Sequence, residues 1–296
     1  MTHGHSRPLT VIILAGGLGK RMQSNVPKVL HPVHGEPMLI RILKEVHQLH
    51  PQRTIIIVNP STHQEIKRAV QDGLPTDYTT TVEYVVQYEP RGTGHAIQSC
   101  TPVLLELSSN VSSNVSSNVS SDIVLVLSGD VPLLRAETMR KVVDQVNLVK
   151  LATTVLDNPR GYGRIITNEE GQFCRIAEER DCTEEEKRIQ RVNCGIYAFD
   201  NSALCRYIFQ IEPNNAQREY YLTDVVQLIS QGEQTVVDIV DIPAHLQYQL
   251  LGVNTPEQLT EVEALAIVDP IPEPIETMDT MGSMEPMIEL QSYYIP

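Results

Sequence analysis

The chain has 296 residues, 41% of them hydrophobic and 20% charged, the balance of a globular protein, which excludes disorder throughout. Trp is absent and only three Phe occur, so the core must be aliphatic. The formal net charge of −14 excludes most sequence-blind binding to nucleic acid or anionic membranes, which needs a basic face.

The charge is uneven. Residues 255–296 hold nine acids and no Lys or Arg, whereas residues 1–254 hold 28 acids and 23 bases, a net of −5. The five cysteines form no CxxC pair, which argues against a disulfide framework and a thiolate zinc site. No apolar run reaches about eighteen residues, and the start, Met1-Thr2-His3-Gly4-His5, has no signal-peptide core. A cytoplasmic location is the expectation.

In chain order, the first apolar run is Val11-Ile12-Ile13-Leu14, a strand buried on both faces. It runs into a glycine-rich loop. Met38, Leu39, Ile42, Leu43, Val46 and Leu49 have helical spacing. A buried strand follows over 54–58, a helix over 61–72, and a strand over 82–87. A single helix is expected from 94 to 107, a strand over 123–127, and a helix over 136–149. This alternation predicts an α/β layer fold with a mostly parallel sheet.

Several strands come next, at 152–156, 163–167, 172–178 and 192–199. Helices over 202–210 and 222–231 and a strand over 235–242 complete the pattern. They read as an elaboration of the same sheet. Residues 108–121 repeat Ser-Ser-Asn-Val and read as a non-functional insertion in a surface loop. The expected division is one domain over 1–254, then a short helix and an acidic, Pro- and Met-rich tail over 255–296.

The loop after the first strand is Leu14-Ala15-Gly16-Gly17-Leu18-Gly19-Lys20-Arg21-Met22. Glycine backbone there can approach and cradle phosphate oxygens. It lacks the Gly and Ser/Thr of a P-loop and the third glycine of a dinucleotide fingerprint. What remains is a glycine turn followed by Lys20, Arg21 and, nearby, Lys28, cations suited to a triphosphate; a structural turn with a solvated basic face is the other reading.

Asp130, in Ser128-Gly129-Asp130-Val131-Pro132-Leu133, follows a strand end. There an acid can hold Mg²⁺, which prefers carboxylate and phosphate oxygens, or can simply cap a turn. In Gln87-Tyr88-Glu89-Pro90-Arg91-Gly92-Thr93-Gly94-His95-Ala96, the Gln side chain and loop amides could read a base edge, while His95 reads as a packed or capping residue.

The order LAGGLGKRM, PKVLH, GTGHA, SGDVPL, GYGRI, VNCGIYAF, NNAQREYYLTD and GVN resembles one family collinearly over about 9–254. It is the uridylyltransferase domain of the bifunctional N-acetylglucosamine-1-phosphate uridylyltransferase/glucosamine-1-phosphate acetyltransferase. The resemblance implies a Rossmann-like, three-layer α/β nucleotidyltransferase fold with a mostly parallel, mixed central sheet. It implies UTP and N-acetylglucosamine 1-phosphate as substrates and Mg²⁺ as cofactor; from the charge and the lack of a long apolar run, neither nucleic acid nor membrane is expected as a partner.

By position, it implies that Leu14, Ala15, Gly16 and Gly17 wrap the nucleotide. Arg21 and Lys28 bind the triphosphate and act in catalysis, and Gln87, Gly92 and Thr93 contact uracil. Asp130 and Asn254 hold the metal. Gly163, Glu178, Asn193 and Asn254 hold the sugar, with 220–223 beside it.

The family usually has Tyr where Ser128 stands, Thr for Cys194 and Gly for Arg218, so another sugar 1-phosphate or dTTP is the alternative, as is an inactive binding protein. Retention of Arg21, Lys28, Asp130 and Asn254 argues against inactivity. The 42 residues after Asn254 show no hexapeptide period, so the acetyltransferase half is expected to be missing. Oligomeric state does not follow from the resemblance.

Overall fold

A computed structural model of the chain describes residues 7–111 and 121–268. The Ser-Ser-Asn-Val repeat from 112 onward and the tail after 268 lie outside the described residues. In order, the elements are β1 (Leu9–Leu14), β2 (Pro32–Val33), β3 (Glu36–Pro37), α1 (Met38–His47), β4 (Arg53–Val58), α2 (His63–Gly73), α3 (Thr76–Thr79), β5 (Val82–Val86), α4 (Thr93–Ser99) and α5 (Thr101–Val111). Then come β6 (Ile123–Ser128), α6 (Ala136–Val143), β7 (Val149–Val155), β8 (Arg164–Thr167), β9 (Phe173–Ala177), β10 (Arg191–Asp200), α7 (Asn201–Tyr207), α8 (Leu222–Gly232), β11 (Asp238–Asp241) and α9 (Pro256–Val268).

The main sheet runs β11-β7-β10-β6-β1-β4-β5, and the β8–β9 hairpin leans on β10. Pairings of β1 with β4 and β6, of β4 with β5 and of β7 with β11 are parallel. Along this seven-strand path only β10 runs against its neighbours, β6 and β7, and off the path β8 runs against both β10 and β9. The sheet is thus mixed and mostly parallel, and the second half of the chain extends it.

Alternation along the buried strands builds two cores. Val11, Ile13, Ile56, Val58, Leu125 and Leu127 pack on one face with the apolar stripes of α1, α2 and α6. Ile12, Ile55, Ile57, Val124 and Val126 pack on the other, against α4, α5, α7 and α8. The result is three layers. A third cluster joins Met22, Val33, Met38 and Val253 to Val262 and Ala266 of α9. Among the described residues no helix is long and apolar enough to cross a membrane.

Two helices depart from the sequence reading. The segment expected as one helix over 94–107 is α4 and α5, broken at Cys100. Pro102 lacks an N–H and its ring would strike the carbonyl four residues back, so one helix cannot run through it. The helix expected over 136–149 ends at Val143. Asp144 turns extended and Gln145 takes a φ of 48°. Val149 instead starts β7 and buries itself in the sheet, where its branched side chain packs well.

Candidate active site

Strands β1, β4, β5 and β6 are mutually parallel and deliver their C-terminal ends to one edge of the sheet, where ligands bind in open α/β sheets. Past β1, the Ala15 N–H still pairs with the Ile57 carbonyl (2.9 Å), and then the chain leaves the sheet. Buried Asn59, just beyond β4, donates from Nδ2 to the Gly16 carbonyl (3.1 Å) and accepts the Ser61 and Thr62 N–H groups on Oδ1 (2.9 and 3.1 Å). The glycine loop is therefore held from below.

The end of β5 supplies Gln87, buried and tied by its N–H to the Val58 carbonyl (2.8 Å). Its Nε2 lies 3.1 Å from both the Gly92 carbonyl and His95 Nδ1. Gly92 has a φ of 106°, and a Cβ there would lie 2.5 Å from the Tyr220 carbonyl, so only glycine fits. That close approach lets the Gly94 N–H bond the Tyr220 carbonyl (2.7 Å) and the Tyr220 N–H bond the Arg91 carbonyl (2.8 Å). Thr93 Oγ1 accepts the Leu222 N–H at the start of α8 (3.0 Å).

These loops enclose a cleft of about 260 Å³. Leu14, Ala15, Gly16, Gly17, Lys28, Gln87, Gly92 and Thr93 line it with Ser128 and Asp130, whereas Arg21, also named for the triphosphate, stands outside this lining.

The end of β6 brings in the acid. The Gly129 N–H bonds the Leu14 carbonyl (2.9 Å), and the Asp130 carbonyl accepts the Val253 N–H (2.9 Å), which draws Asn254 alongside. One carboxylate oxygen of Asp130 accepts the Ser128 hydroxyl (2.6 Å) and the other pairs with Lys28 Nζ. Lys28 Nζ also donates to Asn254 Oδ1 (3.1 Å), as does Arg21 Nη2 (3.0 Å). Four residues spread over more than two hundred positions thus meet at the mouth of the cleft.

A carboxylate and an amide oxygen that already share one ammonium are hard donors converging on one point. They fit a cation that keeps waters and takes phosphate oxygens from its substrate. No group of three or more His, Cys, Asp or Glu side chains able to hold a metal occurs among the described residues.

A second constellation gathers the three residues named for the sugar alone. The Asn193 N–H bonds the Gly163 carbonyl (2.9 Å). A Cβ on Gly163 would lie 3.4 Å from Glu178 Oε2, so the two face each other closely. Thr223 on α8 donates its hydroxyl to Glu178 Oε1 (3.2 Å), and Asn193 Nδ2 bonds the Tyr197 hydroxyl (2.6 Å). Burial raises the Glu178 carboxyl above the ordinary carboxylate range; the Thr223 bond opposes this, while Asp224 and Asp181 push further up. This trio stands outside the lining of the 260 Å³ cleft. Helix α8 links the two, through Leu222 to Thr93 and through Thr223 to Glu178.

Three supporting residues escaped the sequence reading. Asn59 had a signal, a polar residue ending a buried strand before Pro60. Glu219 lines the cleft from a segment noted only as a motif. Arg164 was read only as part of GYGRI, yet it is 1% exposed and bonds three neighbouring segments.

A glycine loop at a parallel-strand edge, with two cations and an acid at its mouth, defines a nucleoside-triphosphate transferase. The chain belongs to the family of MobA-like NTP transferase domains, whose model matches residues 11–191. It is 37% identical to a probable UDP-N-acetylglucosamine pyrophosphorylase of Acanthamoeba polyphaga mimivirus, over 88% of this chain and 97% of that one.

It is 39% identical to the bifunctional protein GlmU of Bordetella petrii, over 86% of this chain and 52% of that one, so it spans about half the length of this second relative. A solved structure named as a glucose-1-phosphate thymidylyltransferase from Bacillus anthracis, in complex with a sucrose, shares the fold. Its TM-score is 0.64 at 20% identity, covering 87% of this chain and 95% of that one.

Proposed function

We propose that the protein transfers a uridylyl group from UTP to N-acetylglucosamine 1-phosphate, forming UDP-N-acetylglucosamine and pyrophosphate. The observation that carries this is the meeting of Arg21, Lys28, Asp130 and Asn254 beside the glycine-loop cleft. The relative named as a probable UDP-N-acetylglucosamine pyrophosphorylase supports the choice of substrates.

In this reading, Leu14, Ala15, Gly16 and Gly17 wrap the nucleotide, and Gln87, Gly92 and Thr93 face uracil. Gly163, Glu178 and Asn193, with Asn254, hold the sugar. The sugar phosphate is largely a dianion near neutral pH, because the second pKa of a phosphate monoester is about 6. It needs no general base. Its oxygen attacks the α-phosphorus in line, a new P–O bond forms, and the bond to pyrophosphate breaks.

The task left to the protein is to bring two anions together and to offset charge as it builds. Arg21 and Lys28 do this on the triphosphate. Mg²⁺, held by Asp130 and Asn254 with the substrate phosphates, would add charge neutralisation at the same place.

The test is a matrix of nucleoside triphosphates and sugar 1-phosphates with Mg²⁺, read by pyrophosphate release. UTP with N-acetylglucosamine 1-phosphate should give the highest kcat/KM. Release from no pair would sink the enzymatic reading. A preference for dTTP or glucose 1-phosphate would keep the chemistry and replace the substrates, and Ser128, which lines the cleft, is the first residue to consult.

A further inference from the structure

We infer that Arg164 is a positioning residue for the sugar ring, acting through the two loops that carry Gly163 and Glu178; this rests on the reading of Gly163, Glu178 and Asn193 as the sugar site. Arg164 opens β8, directly after Gly163, and its side chain is 1% exposed. Its guanidinium donates from Nη1 to the Tyr162 carbonyl, and from Nη2 to Glu179 Oε2 (2.8 Å) and the Lys187 carbonyl (3.3 Å). Glu179 Oε2 also accepts the Gly161 N–H (3.1 Å). One buried side chain thus ties 161–163 to 178–179 and to the turn before β10.

Tyr162 adjoins Gly163 and Glu179 adjoins Glu178, so these bonds fix the spacing at which Gly163 and Glu178 face each other. The Gly163 carbonyl in turn fixes the Asn193 N–H (2.9 Å).

Ion-pair stability by itself is a weak account of this arrangement. Desolvating the buried guanidinium offsets much of the pair's attraction, and replacing both partners of such a pair by apolar side chains often costs nothing. Here Nε is buried with no partner, which adds an unfavourable contribution. The planar donor fork supplies what an apolar side chain lacks, simultaneous bonds to acceptors on three segments in one fixed geometry.

The experiment uses the full chain with Arg164→Met, Arg164→Lys and Glu178→Ala, measuring KM for N-acetylglucosamine 1-phosphate and for UTP, together with Tm. Met fills the volume of the arginine stem, and Glu179, whose side chain is 30% exposed, can hydrate. Arg164→Met should therefore fold.

The expected result is a rise in sugar-phosphate KM on the order of tenfold, with the UTP KM within about twofold of the parent. Arg164→Lys, a compact ammonium without the planar fork, should fall between. An unchanged sugar-phosphate KM in Arg164→Met, with a raised one in Glu178→Ala, overturns the inference and leaves the sugar site standing. No change in either variant overturns both. Parallel losses for both substrates with a lower Tm mark a purely structural role and also overturn it. Should Arg164→Met fail to fold, Glu179→Ala removes the oxygen that Arg164 and Gly161 share and is read by the same criteria.

Discussion

Asp130 is 8% exposed and has hydrogen-bonding partners on both carboxylate oxygens, Ser128 and Lys28. Its removal takes a single charge from the mouth of the cleft, and its backbone bond to Val253 does not depend on the side chain. Asp130→Ala should lower turnover on the order of a hundredfold or more and leave the thermal transition cooperative. Near-normal pyrophosphate release would show that the acid has been placed in the wrong role.

Arg218 stands in the left-handed region of backbone space. It is exposed, with a φ of 55°, a conformation that costs a non-glycine residue about 1–2 kcal/mol. Glycine loses about 0.5–1 kcal/mol of that gain to its freer unfolded chain. Arg218→Gly should stabilise the protein by about 0.5–1 kcal/mol, seen as a modest rise in Tm; a fall would mean the arginine makes a compensating contact.

At the scale of elements, α8 joins the two constellations. Its Leu222 N–H is capped by Thr93, and its Thr223 reaches Glu178. Asp224 in the same first turn is pushed up from 3.8 to about 6, first by burial and then by Asp181, against the pull of Arg175. Above about 6 the folded state carries an ionised carboxylate in poor surroundings; as pH falls toward 3.8 the folded state takes up its proton first and gains stability. Asp224→Asn should therefore raise Tm at pH 7.5, and the difference from the parent should vanish below pH 3.8. A constant difference across pH would assign the effect to something other than this charge.

Over the whole molecule, α9 closes the third core cluster. Val262 and Ala266 cover Met22, Val33 and Met38, and Gln258 Oε1 accepts the Asn254 N–H (2.8 Å). Chain shortening should therefore have two different outcomes. Ending the chain after Val268 should leave turnover unchanged. Ending it after Asn254 uncovers Met22 beside Arg21, and should cost about 3–5 kcal/mol of stability and most of the activity. Calorimetry and pyrophosphate release on the two truncations check this; equal behaviour would mean α9 contributes nothing to the body. The charge of −14 fits the same picture. Most of the net acidity lies beyond Asn254, while the anionic substrates would meet a small local set of cations.

The amino-acid sequence by itself determined what depends on near neighbours along the chain. Runs such as Val11-Ile12-Ile13-Leu14 read as buried strands from their branched, uninterrupted apolar character, and the glycine turn that follows reads as the end of one. Because β1, β4 and β5 pair in parallel, their loops had to share an edge, so Gln87, Gly92 and the glycine loop meeting in one cleft was within reach of local pattern.

The break between α4 and α5 was legible in Pro102 but outweighed by the apolar spacing around it. The early end of α6 was not, because it reflects the stronger demand of β7 for Val149. That Arg21 bonds Asn254, 233 positions away, and that Arg164 lies buried beneath the candidate sugar loops follow from how the strands and helices assemble. Contacts at that separation are fixed by strand order and by which helix covers which face, and no local propensity encodes either.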